Sequence, residues 1–326
     1  MKKYRKYLEP EYGDVAPEVE IMAPQVMDMS HTKLWRQQSN YESLSAMTAA
    51  YQKCNIYPKV MRVMTEDIHC DFGNGPIRVR IYRPENGLGE HLPVLLYYHG
   101  GSFSFNSIEV YEYVCRYLAA SGHILVVAPD YHLAPEYKFP KGLEEAYATL
   151  EWAKEYIGNY GGDPENLNVA GDSSGGNFAA VVARLAKERK GPVIRHQMLV
   201  YPLVSNYAEE MTESERRYGR GYFLEYHCME DPMAPYFTRE EERKDPLASP
   251  LLAREEDLKG LPEACFVFAE CDPLLDQGLM YAARLEDAGV KTQCHIMKGM
   301  LHGFLNWTYG KSFEAMDYLT AFMKDF

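Results

Sequence analysis

Gly171-Asp172-Ser173-Ser174-Gly175-Gly176 stands directly after the apolar run 167–170 and before a stretch with helical patterning. A G-x-S-x-G in that strand-to-helix setting lifts the serine hydroxyl onto a tight elbow, from which it can attack an acyl carbonyl. Small flanking residues suit the elbow, because the backbone nearly doubles back and neighbouring chains press close. The N–H groups that open the next helix, together with its dipole, favour a developing negative charge. Outside that setting the same residues would read as a glycine-rich turn that packs a helix on a sheet. Gly171 and Gly175 flank Ser173 symmetrically, which selects it over Ser174 as the nucleophile. Ser174 is then a candidate backbone donor to an oxyanion.

A second glycine-rich loop, His99-Gly100-Gly101-Ser102-Phe103, also follows an apolar run. Glycines there let the backbone turn N–H groups toward a substrate oxygen. The expected oxyanion hole comprises Gly100, Gly101, Ser102 and Ser174. Gly101 and Ser102 donate from this loop, and Gly100 shapes the turn. His99 is expected to fix the shape of the loop by hydrogen bonds rather than act as a base.

A serine at neutral pH needs a base, and the base needs an orienting acid. Ten histidines compete. His31, His69, His91, His123, His132, His196 and His227 stand where no motif favours them, and His295 falls inside an expected strand. His302, in Gly299-Met300-Leu301-His302-Gly303-Phe304, follows the last apolar run, on the side of an open α/β sheet where ligands meet it. Asp272, in Cys271-Asp272-Pro273-Leu274, also follows a strand-like run. The order Ser173, Asp272, His302 is one used by acyl-transfer sites built on such an elbow. The alternative acids are Asp276, Glu270 and Asp130, of which Asp276 better suits the start of a helix. Asp272-Pro273 also reads as a helix start with proline in the first turn, and both readings can hold together.

These residues need a scaffold, and the chain from about residue 60 onward supplies its pattern. Short apolar runs at 94–98, 124–128, 167–170, 197–201, 265–269 and 292–297 alternate with helical stretches near 107–121, 140–158, 174–189, 276–288 and 311–324. Such alternation predicts βαβ units and a largely parallel sheet. Residues 60–70 and 76–82 predict an antiparallel pair around the turn Gly73-Asn74-Gly75. Residues 1–60 are polar and rich in Met and Tyr, with helical spacing in places, such as Leu34, Gln38, Tyr41 and Ser45. Residues 205–248 interrupt the rhythm with a polar, irregular stretch, and connections that long inside a compact domain are usually functional. The expected organisation is a catalytic domain over 61–326, with 1–60 and the insertion 205–248 forming a cap.

Bulk properties narrow the function classes. The formal charge is −13 over 326 residues, so nucleic acid and acidic membranes are poor partners. No apolar stretch reaches the length of a membrane span. The basic N-terminus lacks the apolar run of a signal peptide. Seven cysteines without a CxxC pair read as reduced core thiols. A cytoplasmic protein is expected, as monomer or homodimer, acting on a small-molecule ester without metal or organic cofactor.

Taken together, the motifs resemble the hormone-sensitive-lipase-like family of α/β-hydrolases, which includes bacterial acetyl esterases and carboxylesterases. The resemblance runs from about residue 92 to the end. Besides the two glycine motifs, Asp130-Tyr131-His132-Leu133-Ala134-Pro135-Glu136 is similar to the family's D-Y-R-L-A-P-E. Ser249-Pro250-Leu251, Leu261-Pro262, Asp272-Pro273-Leu274 and His302-Gly303-Phe304 follow in the family's order. The resemblance implies the triad Ser173, Asp272 and His302, the oxyanion hole named above and a helical cap. A Tyr- and Met-rich cap would make a compact pocket, so the expected activity is hydrolysis of short acyl esters, acetyl to butyryl or hexanoyl. Three positions depart from the family pattern. Ser102 replaces the third glycine of H-G-G-G and sets a hydroxymethyl on the acyl side. Ser174 replaces the alanine after the nucleophile. His132 replaces an arginine, so a structural ion pair is expected to be lost. Amide or sugar-acetate hydrolysis, and ligand binding without turnover, are the rival functions.

Overall fold

In this computed structural model the described residues are 12–17, 32–73, 75–207, 209–224, 235–306 and 310–324. Eight strands form one sheet: β1 (Val63–Asp71), β2 (Pro76–Pro84), β3 (Leu92–Tyr98), β4 (Leu125–Pro129), β5 (Gly162–Asp172), β6 (Ile194–Val200), β7 (Glu263–Cys271) and β8 (Thr292–Leu301). Their order is β1-β2-β4-β3-β5-β6-β7-β8. The β1/β2 and β2/β4 pairs are antiparallel and the rest parallel. Among the described residues the α-helices are α1 (Thr32–Lys53), α2 (Tyr57–Val60), α3 (Glu112–Gly122), α4 (Lys141–Tyr156), α5 (Ser174–Glu188), α6 (Glu213–Tyr218), α7 (Glu255–Leu258), α8 (Leu275–Asp287) and α9 (Ser312–Phe322).

The central strands read as largely apolar runs because both faces are covered. Val94, Leu96 and Tyr98 of β3 pack on one side with Leu143 of α4, Phe178 of α5 and Tyr281 of α8. Leu95 and Tyr97 pack on the other with Val114 of α3 and Met316 of α9. This doubly wound arrangement aligns the C-terminal ends of β3, β5, β7 and β8, and every candidate site residue sits just past one of those ends.

Several strands exceed their predicted lengths, β5 and β8 among them. β5 begins at Gly162, because the polar stretch 162–166 is drawn in by the pairing of Leu92 with Gly162. β8 runs through Lys298 and Gly299 to Leu301. There Glu270 accepts the Gly299 N–H at 2.7 Å and the Lys298 ammonium at 2.9 Å.

α1 lies over residues 100–136. The Arg36 guanidinium donates to the carbonyls of Ser104 and Ala134, both at 2.8 Å, and pairs with Glu136 at 3.0 Å. Further along α1, Met47 and Tyr51 are buried, and Tyr51 stacks on Tyr113 at 4.5 Å. Tyr41 is exposed. Residues 12–16 lie against the far end of the sheet: the Ala16 N–H donates to Gly299, and the Tyr12 hydroxyl donates to Asp276. In the stretch 205–248, α6 carries a capping box from Thr212 and Glu215, while 208 and 225–234 lie outside the described residues.

Around His132 a buried carboxylate stands beside both the imidazole and a lysine. Buried Glu145 accepts from the His132 backbone N–H at 2.8 Å and contacts its Nδ1 at 2.7 Å, and Lys141, one turn earlier on α4, pairs with it at 2.8 Å. A lysine at i−4 thus sets a cation beside the buried carboxylate.

Candidate active site

Ser173 sits between the end of β5 and the start of α5 with φ +55° and ψ −120°. A non-glycine residue holds such a backbone only when its surroundings over-determine it. Here they do: its N–H donates to Val200 at 2.9 Å, and its carbonyl accepts from Asn177 at 3.1 Å and Leu203 at 3.0 Å. Asn177 in turn donates to the carbonyls of Leu203 and Ala248, both at 2.8 Å. The segment Ser249-Pro250-Leu251 is thereby tied to the elbow. Ser173 itself is only half-buried, so its hydroxyl is reachable.

β8 and β7 bring two partners to that hydroxyl. His302 Nε2 lies 2.9 Å from Ser173 Oγ, and His302 Nδ1 lies 2.7 Å from Asp272 Oδ2. The other carboxylate oxygen of Asp272 accepts the Leu274 N–H at 2.8 Å, so the acid also opens α8. Asp272 and His302 are buried, and the Tyr201 ring lies 4.7 Å from the imidazole. With Nδ1–H donating to Asp272, Nε2 carries the lone pair facing Ser173, the tautomer a general base requires.

The glycine loop borders the elbow. Gly101, Ser102 and Phe103 have φ values of 130°, 51° and 60°. The Phe103 N–H donates to Ser174 Oγ at 3.3 Å, which binds the loop to the first residue of α5. Among the described residues the N–H groups of Gly101 and Ser102 have no protein acceptor. Ser174, as the first residue of α5, has none within its helix. The Gly100 N–H is engaged differently, with Asp172 at 3.0 Å and Tyr111 at 3.2 Å. Gly100 therefore shapes the loop while its neighbours keep free donors.

His99 holds the loop from beneath. Its Nδ1 bonds the Gly100 carbonyl at 2.8 Å, its ring stacks on Tyr131 at 4.4 Å, and burial lowers its pKa, which keeps it neutral. The remaining histidines are placed elsewhere. His123 pairs with Glu90, His196 bonds Asn168, His295 stacks on Tyr318, and His69 and His91 are exposed. His31 and His227 lie outside the described residues. Asp276 accepts from Tyr12 and Ser214, Glu270 holds Lys298 and Gly299, and Asp130 pairs with Arg78, so none of the alternative acids is aimed at His302. Among the described residues no group of three or more His, Cys, Asp or Glu side chains is placed to hold a metal ion.

Sequence reasoning missed Asp172. The middle residue of G-x-S is unconstrained by the motif, and only its acidity in an apolar setting could have flagged it. It is buried beneath the elbow, where desolvation pushes its carboxyl up to about 6 against the lowering effect of hydrogen bonds from Tyr111, Tyr97 and Gly100. The folded pKa lies above the ordinary value of 3.8. The group's favourable contribution is therefore fully present below about pH 4 and is lost as pH rises through about 6. Asp172→Asn is expected to gain about 2 kcal/mol of stability relative to wild type from pH 4.5 to 7.5. Thermal unfolding of both proteins at the two pH values checks this, and a gap that does not widen counts against it.

Together, a mostly parallel sheet and a Ser–His–Asp line at its C-terminal edge define an α/β hydrolase. The chain belongs to the alpha/beta hydrolase fold family, whose model matches residues 95–306. It is 37% identical over 246 residues to an arylesterase of Saccharolobus solfataricus, covering 74% of this chain and 77% of that protein. It is 37% identical over 229 residues to an ethyl acetate hydrolase of Pseudomonas putida, covering 70% and 71%. Among solved structures it is similar to a thermostable carboxylesterase from a metagenomic library, with TM-score 0.84, 37% identity, and coverage of 92% of this chain and 98% of that one. The chain is a carboxylic ester hydrolase. Among the described residues no helix is long and apolar enough to cross a membrane.

Proposed function

We propose that the chain hydrolyses short-chain acyl esters of small alcohols and phenols through an acyl-enzyme on Ser173. The observation that carries this reading is the hydrogen-bonded line from Ser173 Oγ through His302 to Asp272, with segments of 2.9 and 2.7 Å. As Oγ bonds to the ester carbonyl carbon, its proton passes to His302 Nε2. The carbonyl oxygen becomes an oxyanion, which accepts from the N–H groups of Gly101, Ser102 and Ser174. Asp272 holds the imidazole in orientation and stabilises the imidazolium. On collapse of the tetrahedral intermediate the C–O bond to the alcohol breaks, and His302 returns its proton to the leaving alkoxide. Water, deprotonated by His302, then attacks the acyl carbon and releases the acid and Ser173.

A cap built from residues 1–60 and 205–248 belongs to the same proposal. Two contacts support it: Arg36 on the carbonyls of Ser104 and Ala134, and Tyr236 stacked on Phe103 of the glycine loop at 4.0 Å. Aromatic rings pressed onto that loop favour a short acyl chain over a long one, and the ethyl acetate hydrolase among the relatives points the same way.

Initial rates on p-nitrophenyl acetate, butyrate, octanoate and palmitate test the proposal. The specificity constant is expected to peak at acetate or butyrate and to fall at least about 100-fold by palmitate, at about 1 kcal/mol or less for each misplaced methylene. Emulsified triolein should not be turned over robustly. A maximum at palmitate overturns the short-chain reading, and absence of turnover on every ester overturns the hydrolytic one.

A further inference from the structure

Asp172 joins the two halves of the proposed site. Its Oδ1 accepts from the Tyr97 hydroxyl and the Gly100 N–H, both at 3.0 Å, and its Oδ2 accepts from the Tyr111 hydroxyl at 2.7 Å and the Tyr201 hydroxyl at 3.5 Å. These donors come from β3, the segment before α3, the residue after β6 and the glycine loop. Gly100 suits this contact because it lacks a side chain: a Cβ there would stand 2.6 Å from Oδ2 and 2.8 Å from the Asp172 carbonyl. The mechanism proposed above uses neither the carboxylate nor the three hydroxyls.

We infer that Asp172 is a positioning residue for the oxyanion hole, its carboxylate fixing Gly100 and thereby the N–H groups of Gly101 and Ser102 relative to Ser173. The inference rests on Ser173 being the nucleophile. Asp172 is bonded covalently to Ser173 and by hydrogen bond to Gly100, which is bonded covalently to Gly101. One side chain therefore sets the distance between the attacking oxygen and the donors that receive the oxyanion. Oxyanion stabilisation depends on donors standing where the charge develops, so a shift of this loop acts on the transition state more than on the bound ester.

The charge itself is not the useful feature. A carboxylate near the hole opposes a developing oxyanion, and its burial is unfavourable enough to raise its pKa. What serves the hole is a fixed acceptor of the right shape. That separates Asn, which keeps an acceptor oxygen for Gly100, from Ala, which keeps none.

The test is steady-state kinetics of Asp172→Ala, Asp172→Asn and Tyr111→Phe on p-nitrophenyl acetate, with labelling of Ser173 by a small fluorophosphonate followed by mass spectrometry. For Asp172→Ala, kcat is expected to fall about 100-fold with KM within about threefold, the size of effect a misplacement near 1 Å produces. Asp172→Asn should recover at least tenfold of that loss, and Tyr111→Phe should lower kcat about fivefold. A folded Asp172→Ala with kcat within threefold of wild type overturns the inference, as does Asp172→Asn no faster than Asp172→Ala, or a loss confined to KM. If Asp172→Ala does not fold, Tyr111→Phe decides, and a kcat within twofold of wild type counts against the inference. Failure to label Ser173 in wild type sinks the nucleophile reading itself. Normal labelling of wild type with unaffected variants sinks only the role of Asp172.

Discussion

Ser173→Ala is expected to lower kcat on p-nitrophenyl acetate by about 10⁶-fold, His302→Ala by a similar factor, and Asp272→Asn by about 10⁴-fold. The ranking follows from the geometry. In the proposed mechanism Ser173 Oγ forms the bond to the acyl carbon, and without it no acyl-enzyme forms. His302 is the group within 2.9 Å of that oxygen that can take its proton. Asp272 acts one step away, through the 2.7 Å bond to Nδ1. Asparagine of the same shape could donate its amide N–H to Nδ1, leaving the proton on Nε2 and its lone pair no longer facing Ser173. The three losses are also expected not to add. Once Ser173 is gone, His302 has no proton to take, so Ser173→Ala/His302→Ala should be no slower than Ser173→Ala alone. Residual catalysis of about 10³- to 10⁴-fold over water should survive in all of them, supplied by the oxyanion donors and binding. Unchanged unfolding temperatures would show that the losses are chemical. Multiplying losses in the double variant would mean that His302 works on something other than Ser173.

The sequence disclosed the strands that carry this site for a physical reason. A strand covered on both faces is rich in apolar side chains, so β3, β4 and the centre of β7 stand out as short runs, while β5 and β6 carry runs that include or adjoin the buried Asn168, His196 and Gln197. Loops just past those runs are where backbone N–H groups and polar side chains converge, so motif and place alone point to Ser173, Asp272 and His302 as candidates, which the fold brings together. Gly299 shows where such reading stops. A Lys-Gly pair looks like the end of β8, yet Glu270 holds both residues and the strand continues to Leu301. Long-range side-chain acceptors of that kind leave no local pattern.

The same limit hid Asp172 and the charges around His132. The donors around Asp172 are tyrosines at 97, 111 and 201, each reading locally as an apolar ring on a buried face. Only folding brings their hydroxyls to one carboxylate. At His132 the pattern showed a missing arginine, but the buried anion is Glu145, and Lys141 on the same helix face reaches it. A motif comparison registers the residue that changed, while electrostatics asks whether the charge was replaced.

Gly175→Ala is expected to cost about 3 kcal/mol of stability or more and to lower kcat in the folded fraction by about 100-fold. A Cβ built on Gly175 would lie 2.0 Å from the Tyr98 carbonyl oxygen and 2.5 Å from that of His99. Both obstacles are backbone, so no rotamer change relieves them. The Tyr98 and His99 carbonyls belong to the end of β3, locked in the sheet centre between β4 and β5. Relief therefore requires the first turn of α5 to withdraw, carrying Ser174 and tilting Ser173 away from His302. Stability and catalysis should fall together, because the contact that brings helix and strand close is also the one that sets the elbow against the glycine loop. A loss near 3 kcal/mol corresponds to a fall of about 4 °C in Tm for a chain of 326 residues. Gly158→Ala is the control. It has nothing within 4 Å of its built Cβ and lies in the short 3₁₀ turn 157–160. It should change stability by less than about 1 kcal/mol and leave kcat alone. Equal behaviour of the two variants would mean that α5 can move without penalty and that the elbow is not pinned by close approach.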